Sequence, residues 1–350
     1  MPEPQGHHSP REIHLTAPVP AEVSPALPDL PHVEEKWASP GHELPLVLEP
    51  RSADVRLVDL ATEYRSEIRQ RLLQYGGILF RGFANSTPET FRTLMTALSG
   101  DPLEYIERTS PRHEVGDKVY TSTDYPAAQE IFLHNEQSYN TTWPQLIFFH
   151  CVTEPGSGGG TPIADCRKIF QRISEETRRK LQERKYSYVR HFGGPLGLGW
   201  REAFQTEERS EVEKYCRSNA ISFSWGDKDE LSTRQIRTVS TRHPVTGDET
   251  WFNHLVFFNI QMFDPGTRKA MLSMGKDRLP NNTYYGDGED IEPEIVEELR
   301  AAYLAEKVVV PWREGDVLML DNMLVAHGRE SFKPPRQIIV GMTEPLAADS

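Results

Sequence analysis

The chain has 350 residues, enough for one elaborated domain or two small ones with a buried core. Hydrophobic residues make up 37% and charged residues 26%, the balance of an ordinary globular protein, and the formal net charge is -13. Such an acidic chain with no Lys/Arg-rich run is poorly suited to a nucleic-acid backbone or an anionic membrane surface, so neither is expected as a partner. Three widely spread cysteines, Cys151, Cys166 and Cys216, form no C-x-x-C pair. They argue against a disulfide framework or a cysteine zinc site and suit a cytoplasmic location. No apolar segment follows the polar N-terminus, so neither a secretory signal nor a membrane span is expected.

In chain order, residues 1–50 are interrupted by prolines at 2, 4, 10, 18, 20, 25, 28, 31, 40, 45 and 50. Proline removes a backbone donor, so long helices and central strands are not expected there. We expect a disordered start followed by an extended arm carrying Leu27, Leu30, Val33 and Trp37. Residues 51–350 form the main domain. A helix over 61–75 places Ile68, Leu72 and Leu73 on one face and ends at Gly76-Gly77. A strand at 78–83 and a helix at 87–98 follow, the latter opened by Pro88. Short strands are expected at 119–123, 130–133, 145–152 and 161–164, then a helix at 167–184 whose run Arg178-Arg179-Lys180 reads as a solvated face.

Residues 193–234 are less patterned, with one helix at 207–218, and are expected to be an insertion or lid over the site. Strands return at 235–240, 249–253, 307–310, 316–320 and 337–342, with a helix near 293–305. Many short strands with flanking helices predict a mainly β fold, a jelly roll buttressed by helices. The βαβ rhythm, a Rossmann glycine fingerprint and a P-loop are absent.

The chemistry concentrates in two places. In Ile131-Phe132-Leu133-His134-Asn135-Glu136, residues two apart in a strand share a face, so His134 and Glu136 can present an imidazole and a carboxylate to one point. Alone, H-x-E is a weak signal, more often a surface strand with two polar side chains. In the second place, the apolar strand before Asp321-Asn322 leads into Met323-Leu324-Val325-Ala326-His327-Gly328-Arg329. Arg336 follows nine residues after His327, at the mouth of another apolar strand. Two histidines and one carboxylate on one face leave three positions open on iron(II). An arginine nearby can hold a dicarboxylate through a bidentate pair.

These motifs, with "VYTSTDYP", "LHNEQSYNTTWP", "GGGTPIADCRKIF", "WFNH" and "DNMLVAHGRESF", resemble the taurine dioxygenase-like (TauD/TfdA) superfamily of Fe(II)- and 2-oxoglutarate-dependent oxygenases. Within it they resemble the SyrP-like and clavaminate synthase-like branch, from about residue 20 to the C-terminus. The resemblance implies a double-stranded β-helix (jelly roll, cupin-like) core. It implies His134, Glu136 and His327 as ligands of Fe(II), and Thr161 with Arg336 as the grip on the far carboxylate of 2-oxoglutarate. Arg329 competes with Arg336 for that role, because many relatives carry an arginine several residues later, where this chain has Gly341 and Met342. The carboxylate of Glu136 occupies the position that halogenating relatives leave to chloride.

The implied activity is hydroxylation, with O2, of an amino acid or amino-acid-derived substrate, free or tethered to a carrier protein, in natural-product biosynthesis. Desaturation or cyclisation at the same iron site is the alternative within enzymes, and a non-catalytic metal-bearing jelly roll the alternative outside them. Demethylation of histones or nucleic acids is disfavoured by the acidic charge. Candidate substrate contacts are Ser122 (with Thr123), Asn135, Arg190 and Asn253. Each has a structural reading beside it, a strand-edge salt bridge in the case of Arg190. His150, His191 and His243 are read as structural or exposed, and His254 as not a metal ligand.

Overall fold

The computed structural model of the chain describes residues 27–39, 41–84, 86–103, 114–116, 118–121, 125–194 and 197–348. The expected disordered start and the candidates Ser122 and Thr123 lie outside the described residues.

The runs Val317-Leu318-Met319-Leu320 and Leu146-Ile147-Phe148-Phe149 are apolar at every position, the mark of strands covered on both faces. They become neighbours in an eight-stranded sheet. Its spatial order is Val33–Ser39, His42–Pro50, Gly77–Phe80, Val317–Asp321, Thr142–Thr153, Gln337–Ala347, Val119–Thr121 and Glu114–Gly116. One face, with Phe80, Phe148, Val317, Met319 and Ile339, packs on Leu60, Ile68, Leu72, Phe91, Leu94 and Leu98 from the helices Leu57–Glu63, Arg65–Tyr75 and Pro88–Ser99. The other face, with Leu79, Ile147, Phe149, Leu318, Leu320 and Val340, packs on Ile163, Val308, Val310 and Val325. Those residues belong to a four-stranded sheet ordered Val308–Val310, Thr161–Asp165, Val325–Arg329 and Ile131–His134. The result is the expected jelly-roll sandwich, not closed into a barrel.

Three expectations need correction. The strand His42–Pro50 lies inside the proline-rich arm yet is paired on both sides, antiparallel to Val33–Ser39 and parallel to Gly77–Phe80. Pro45 sits where the register slips between Trp37 and Ser39, so its missing N–H interrupts no ladder bond. The helix expected over 61–75 is two helices that meet at Tyr64. The helix expected over 167–184 breaks at Ile173, which is extended at ψ 134. The hydroxyl of Ser174 then accepts the N–H of Thr177 and starts Glu175–Arg184 afresh.

The stretch 193–234, expected as an insertion or lid, is more regular than its patterning suggests. This stretch supplies the helices Trp200–Phe204 and Arg209–Ser218 and two strands of a third sheet, ordered Ile221–Trp225, Leu231–Arg237, Tyr186–Phe192 and Asn281–Tyr285. Phe192, Trp200, Phe204, Val212, Cys216 and Leu231 give it a core of its own. Among the described residues, no helix is long and apolar enough to cross a membrane.

Candidate metal centre

The strand Val325–Arg329 runs between Ile131–His134 and Thr161–Asp165, which sets His327 directly opposite His134 on one side and Ile163 on the other. The cross-strand register brings the two imidazole rings to 4.6 Å between centroids. His134 Nδ1 lies 2.8 Å from the carbonyl of Phe132. A carbonyl can only accept, so Nδ1 carries the proton and Nε2 is left as the basic nitrogen.

Glu136 reaches the same point by another route than strand alternation. The strand ends at His134 and residues 135–139 form a turn. The side-chain amide of Asn322 holds that turn: Oδ1 accepts the Glu136 N–H at 2.8 Å and Nδ2 donates to the Glu136 carbonyl at 2.9 Å. Ligand atoms of His134, Glu136 and His327 all lie within 4.8 Å of one another, and all three residues are buried. Two neutral nitrogens and one carboxylate at this spacing fit an iron(II) ion with positions to spare, and the ion would neutralise a carboxylate otherwise buried beside imidazoles.

The triad lines a cavity of about 360 Å³. Thr161 and Arg336 line it too, as do Arg329, His254, Asn281 and the apolar side chains Phe149, Phe257, Phe258 and Met262. The hydroxyl of Thr161 accepts the indole N–H of Trp312 at 2.9 Å, which leaves its own proton to be donated elsewhere. Arg336 donates Nε–H to the Gly159 carbonyl at 3.0 Å. Its guanidinium and that of Arg329 lie 5.3 and 5.2 Å from the ring centre of Phe332. Burial, and then the charge of Arg329, push the Arg336 guanidinium down to about 10. The terminal nitrogens of Arg329 are committed to main-chain carbonyls: Tyr125 at 2.9 Å, Pro126 at 2.7 Å and Gln129 at 2.9 Å. Arg329 thus ties the rim loop to the strand carrying His327.

Three expected substrate contacts lie elsewhere. Asn135 points away from the cavity and donates to the Asn322 carbonyl at 2.7 Å. Asn253 closes a local turn, donating to the Val239 carbonyl at 2.6 Å and accepting the Leu255 N–H at 2.9 Å. Arg190 sits in the middle of the third sheet with its guanidinium 4.5 Å from the Phe192 ring. It lines a separate cavity of about 130 Å³, whose wall shares Asn281 with the metal cavity. Among the described residues, the wall beside the triad comes from His254–Phe263 rather than from 193–234.

His254 is part of that wall, with Nδ1 2.7 Å from Ser138 Oγ. Burial, and then His134, hold it well below the ordinary imidazole range, so it is neutral. His150 and His243 are buried within the fold. Sequence reasoning missed Trp312, Asn322 and the pair Phe257-Phe258. The first two act across 151 and 186 residues of chain, which no local pattern signals.

Residues 42–343 match the family described as taurine catabolism dioxygenase TauD, TfdA family. The chain is 40% identical over 280 residues to the dapdiamide synthesis protein DdaC of Enterobacter agglomerans, covering 80% of this chain and 85% of that protein. It is 27% identical over 342 residues to a clavaminate synthase-like protein of Arabidopsis thaliana, covering 91% and 98%. Among solved structures, PvcB, described as an Fe, alpha-ketoglutarate dependent oxygenase from an isonitrile synthetic pathway, superposes with a TM-score of 0.51 at 18% identity over 93% of this chain and 98% of that one. At that identity the likeness bears on the fold alone. A family match over most of the length, a close relative and a buried His-Glu-His triad in a jelly roll agree: the chain belongs to the TauD/TfdA family of iron(II)- and 2-oxoglutarate-dependent dioxygenases.

Proposed function

We propose that the protein hydroxylates a small amino acid or amino-acid-derived molecule in natural-product biosynthesis, with His134, Glu136 and His327 holding iron(II). One observation carries this reading. The three ligand atoms converge within 4.8 Å in the wall of a cavity that Thr161 and Arg336 also line. Bound iron, with 2-oxoglutarate and O2, supplies the oxidising power, and the cosubstrate leaves as succinate and carbon dioxide. The chain's own residues bind and orient. The Arg336 fork meets the far carboxylate of 2-oxoglutarate, and the Thr161 hydroxyl donates to the same group. Phe257, Phe258 and Met262 exclude water from the reacting carbon. The volume of about 360 Å³ suits 2-oxoglutarate beside a small substrate. A relative named for dapdiamide synthesis supports a biosynthetic role.

Succinate release with iron, ascorbate and 2-oxoglutarate, compared with His134→Ala, tests the iron chemistry. A mass-spectrometric screen of free amino acids and of their carrier-bound thioesters then identifies the substrate and the outcome. A gain of one oxygen marks hydroxylation, and a loss of two hydrogens marks desaturation or cyclisation. Metal binding without succinate release under any condition would leave the non-catalytic reading in its place.

A further inference from the structure

We infer that Asn322 is a positioning residue for the metal centre, setting the main chain of Glu136 so that its carboxylate meets the two histidines. The inference rests on the reading of the triad as the iron site. His134 and His327 are held by the sheet itself, since they face each other in one ladder. Glu136 has no such support, because the strand stops two residues earlier. Its turn is closed by the Ser138 N–H on the Asn135 carbonyl at 3.3 Å and the Asn140 N–H on the Gln137 carbonyl at 2.8 Å, and Gln137 adopts φ 56. Neither bond involves Glu136.

Both main-chain polar groups of Glu136 go to Asn322 instead, at 2.8 and 2.9 Å. The second amide proton of Asn322 goes to the Pro144 carbonyl at 2.9 Å. Its own N–H goes to the Gln145 carbonyl at 2.8 Å, and its carbonyl accepts Asn135 Nδ2 at 2.7 Å. Asn322 is fully buried, and its side chain uses both amide protons and its oxygen.

Its place in the chain gives this clasp a function. Asn322 follows the strand Val317–Asp321 of the large sheet and stands five residues before His327 in the small one. One side chain therefore ties the turn bearing one ligand to the connection leading to another. Only an amide serves here. An aspartate of the same shape keeps the acceptor for the Glu136 N–H but strips the Glu136 and Pro144 carbonyls of their donor. Losing a contact that orients a metal ligand in this way commonly costs about 10–100-fold in metal affinity.

The test uses Mn(II) alone as probe on the full chain, with unbound Mn(II) followed by its paramagnetic resonance signal. Asn322→Asp and Asn322→Ala are expected to weaken Mn(II) binding about 10–100-fold while circular dichroism still reports a folded chain. Should the alanine variant fail to fold, the aspartate variant carries the measurement. In a Glu136→Ala background, where no carboxylate remains to be positioned, Asn322→Ala should add no further loss. A purely structural asparagine would lower affinity equally in both backgrounds, and that result overturns the inference. So does wild-type affinity in the folded Asn322 variants. If instead wild type and His134→Ala bind Mn(II) alike, the reading of the triad as a metal centre falls first.

Discussion

Trp312 donates its indole N–H to the hydroxyl oxygen of Thr161 across 151 residues of chain, at 2.9 Å. The indole can only donate, so the Thr161 hydroxyl keeps its own proton for another acceptor. Replacing Trp312 by phenylalanine keeps most of the packing and removes this bond. The net value of such a bond is about 0.5–1.5 kcal/mol. The apparent Michaelis constant for 2-oxoglutarate should therefore rise about 2–10-fold with kcat nearly unchanged. A titration of 2-oxoglutarate at saturating substrate reads this directly; an unaltered constant would remove Thr161 from the cosubstrate site.

The two arginines on the cavity wall should separate by function. Arg336 is a guanidinium pushed down by burial and by a second cation, so an incoming carboxylate relieves it. Arg336→Ala should raise the 2-oxoglutarate constant at least about 10-fold, from losing on the order of 1.4 kcal/mol or more of charge-assisted pairing. Lysine should rescue it only in part. Arg329→Ala should leave that constant within a few-fold. It should instead loosen the loop Tyr125–Gln129, seen as faster proteolytic cleavage there and a higher constant for the primary substrate. The reverse pattern would make Arg329 the clamp.

The convergence of the three candidate ligands was legible because two of their signals are local. His134-x-Glu136 needs only two-residue spacing, and His327 sits in an apolar run before Gly328-Arg329. Why Glu136 points inward was not legible, since that depends on Asn322, 186 residues away, rather than on strand alternation. Proline content misjudged 42–50, where Pro45 falls at a register slip. The weak pattern of 193–234 did not reveal its two helices and two strands, whose apolar residues close a small core of their own. Phe257 and Phe258, which do wall the cavity, lie in irregular backbone after Trp251, where no period marks an inward face.

The residue before Asn322 anchors the clasp. Asp321 is buried; Oδ1 accepts the N–H groups of Met323 and Leu324 at 2.9 and 3.2 Å, and Oδ2 accepts from Gln145 at 2.8 Å. His243 Nδ1 accepts the N–H groups of Val245 and Thr246, so its Nε2 carries the proton it gives to Asp321 Oδ2 at 3.1 Å. Asp321→Ala orphans several of these donors at once. It should lower stability by about 3–5 kcal/mol, the range for breaking a buried polar pair. Asp321→Asn, which keeps an acceptor, should lose less. Urea midpoints compared at constant m-value decide it, and an unchanged midpoint for Asp321→Ala would show that the network carries little of the fold's stability.

Gly328 offers a test of how finely the histidine pair is spaced. It stands between His327 and Arg329, where the strand crosses the backbone of Ile131–His134. A Cβ at this position would lie 2.5 Å from the Ile131 carbonyl oxygen, 3.2 Å from the Phe132 carbonyl carbon and 3.3 Å from the Leu133 nitrogen. All three are main-chain atoms, which cannot swing aside as a flexible side chain would. Relief requires the partner strand to retreat by roughly an ångström, and His134 travels with it. Overpacking of this kind costs about 1–3 kcal/mol, and a ligand displaced by about 1 Å can reduce turnover on the order of 100-fold. Gly328→Ala should therefore lower the melting temperature, weaken Mn(II) binding at least about 10-fold and nearly abolish succinate release. Gly194→Ala, where a Cβ meets nothing within 4 Å, serves as the neutral control. Wild-type metal affinity in the folded Gly328→Ala protein would mean that the strand pair adapts, and that the close approach at Gly328 does not set the position of His134.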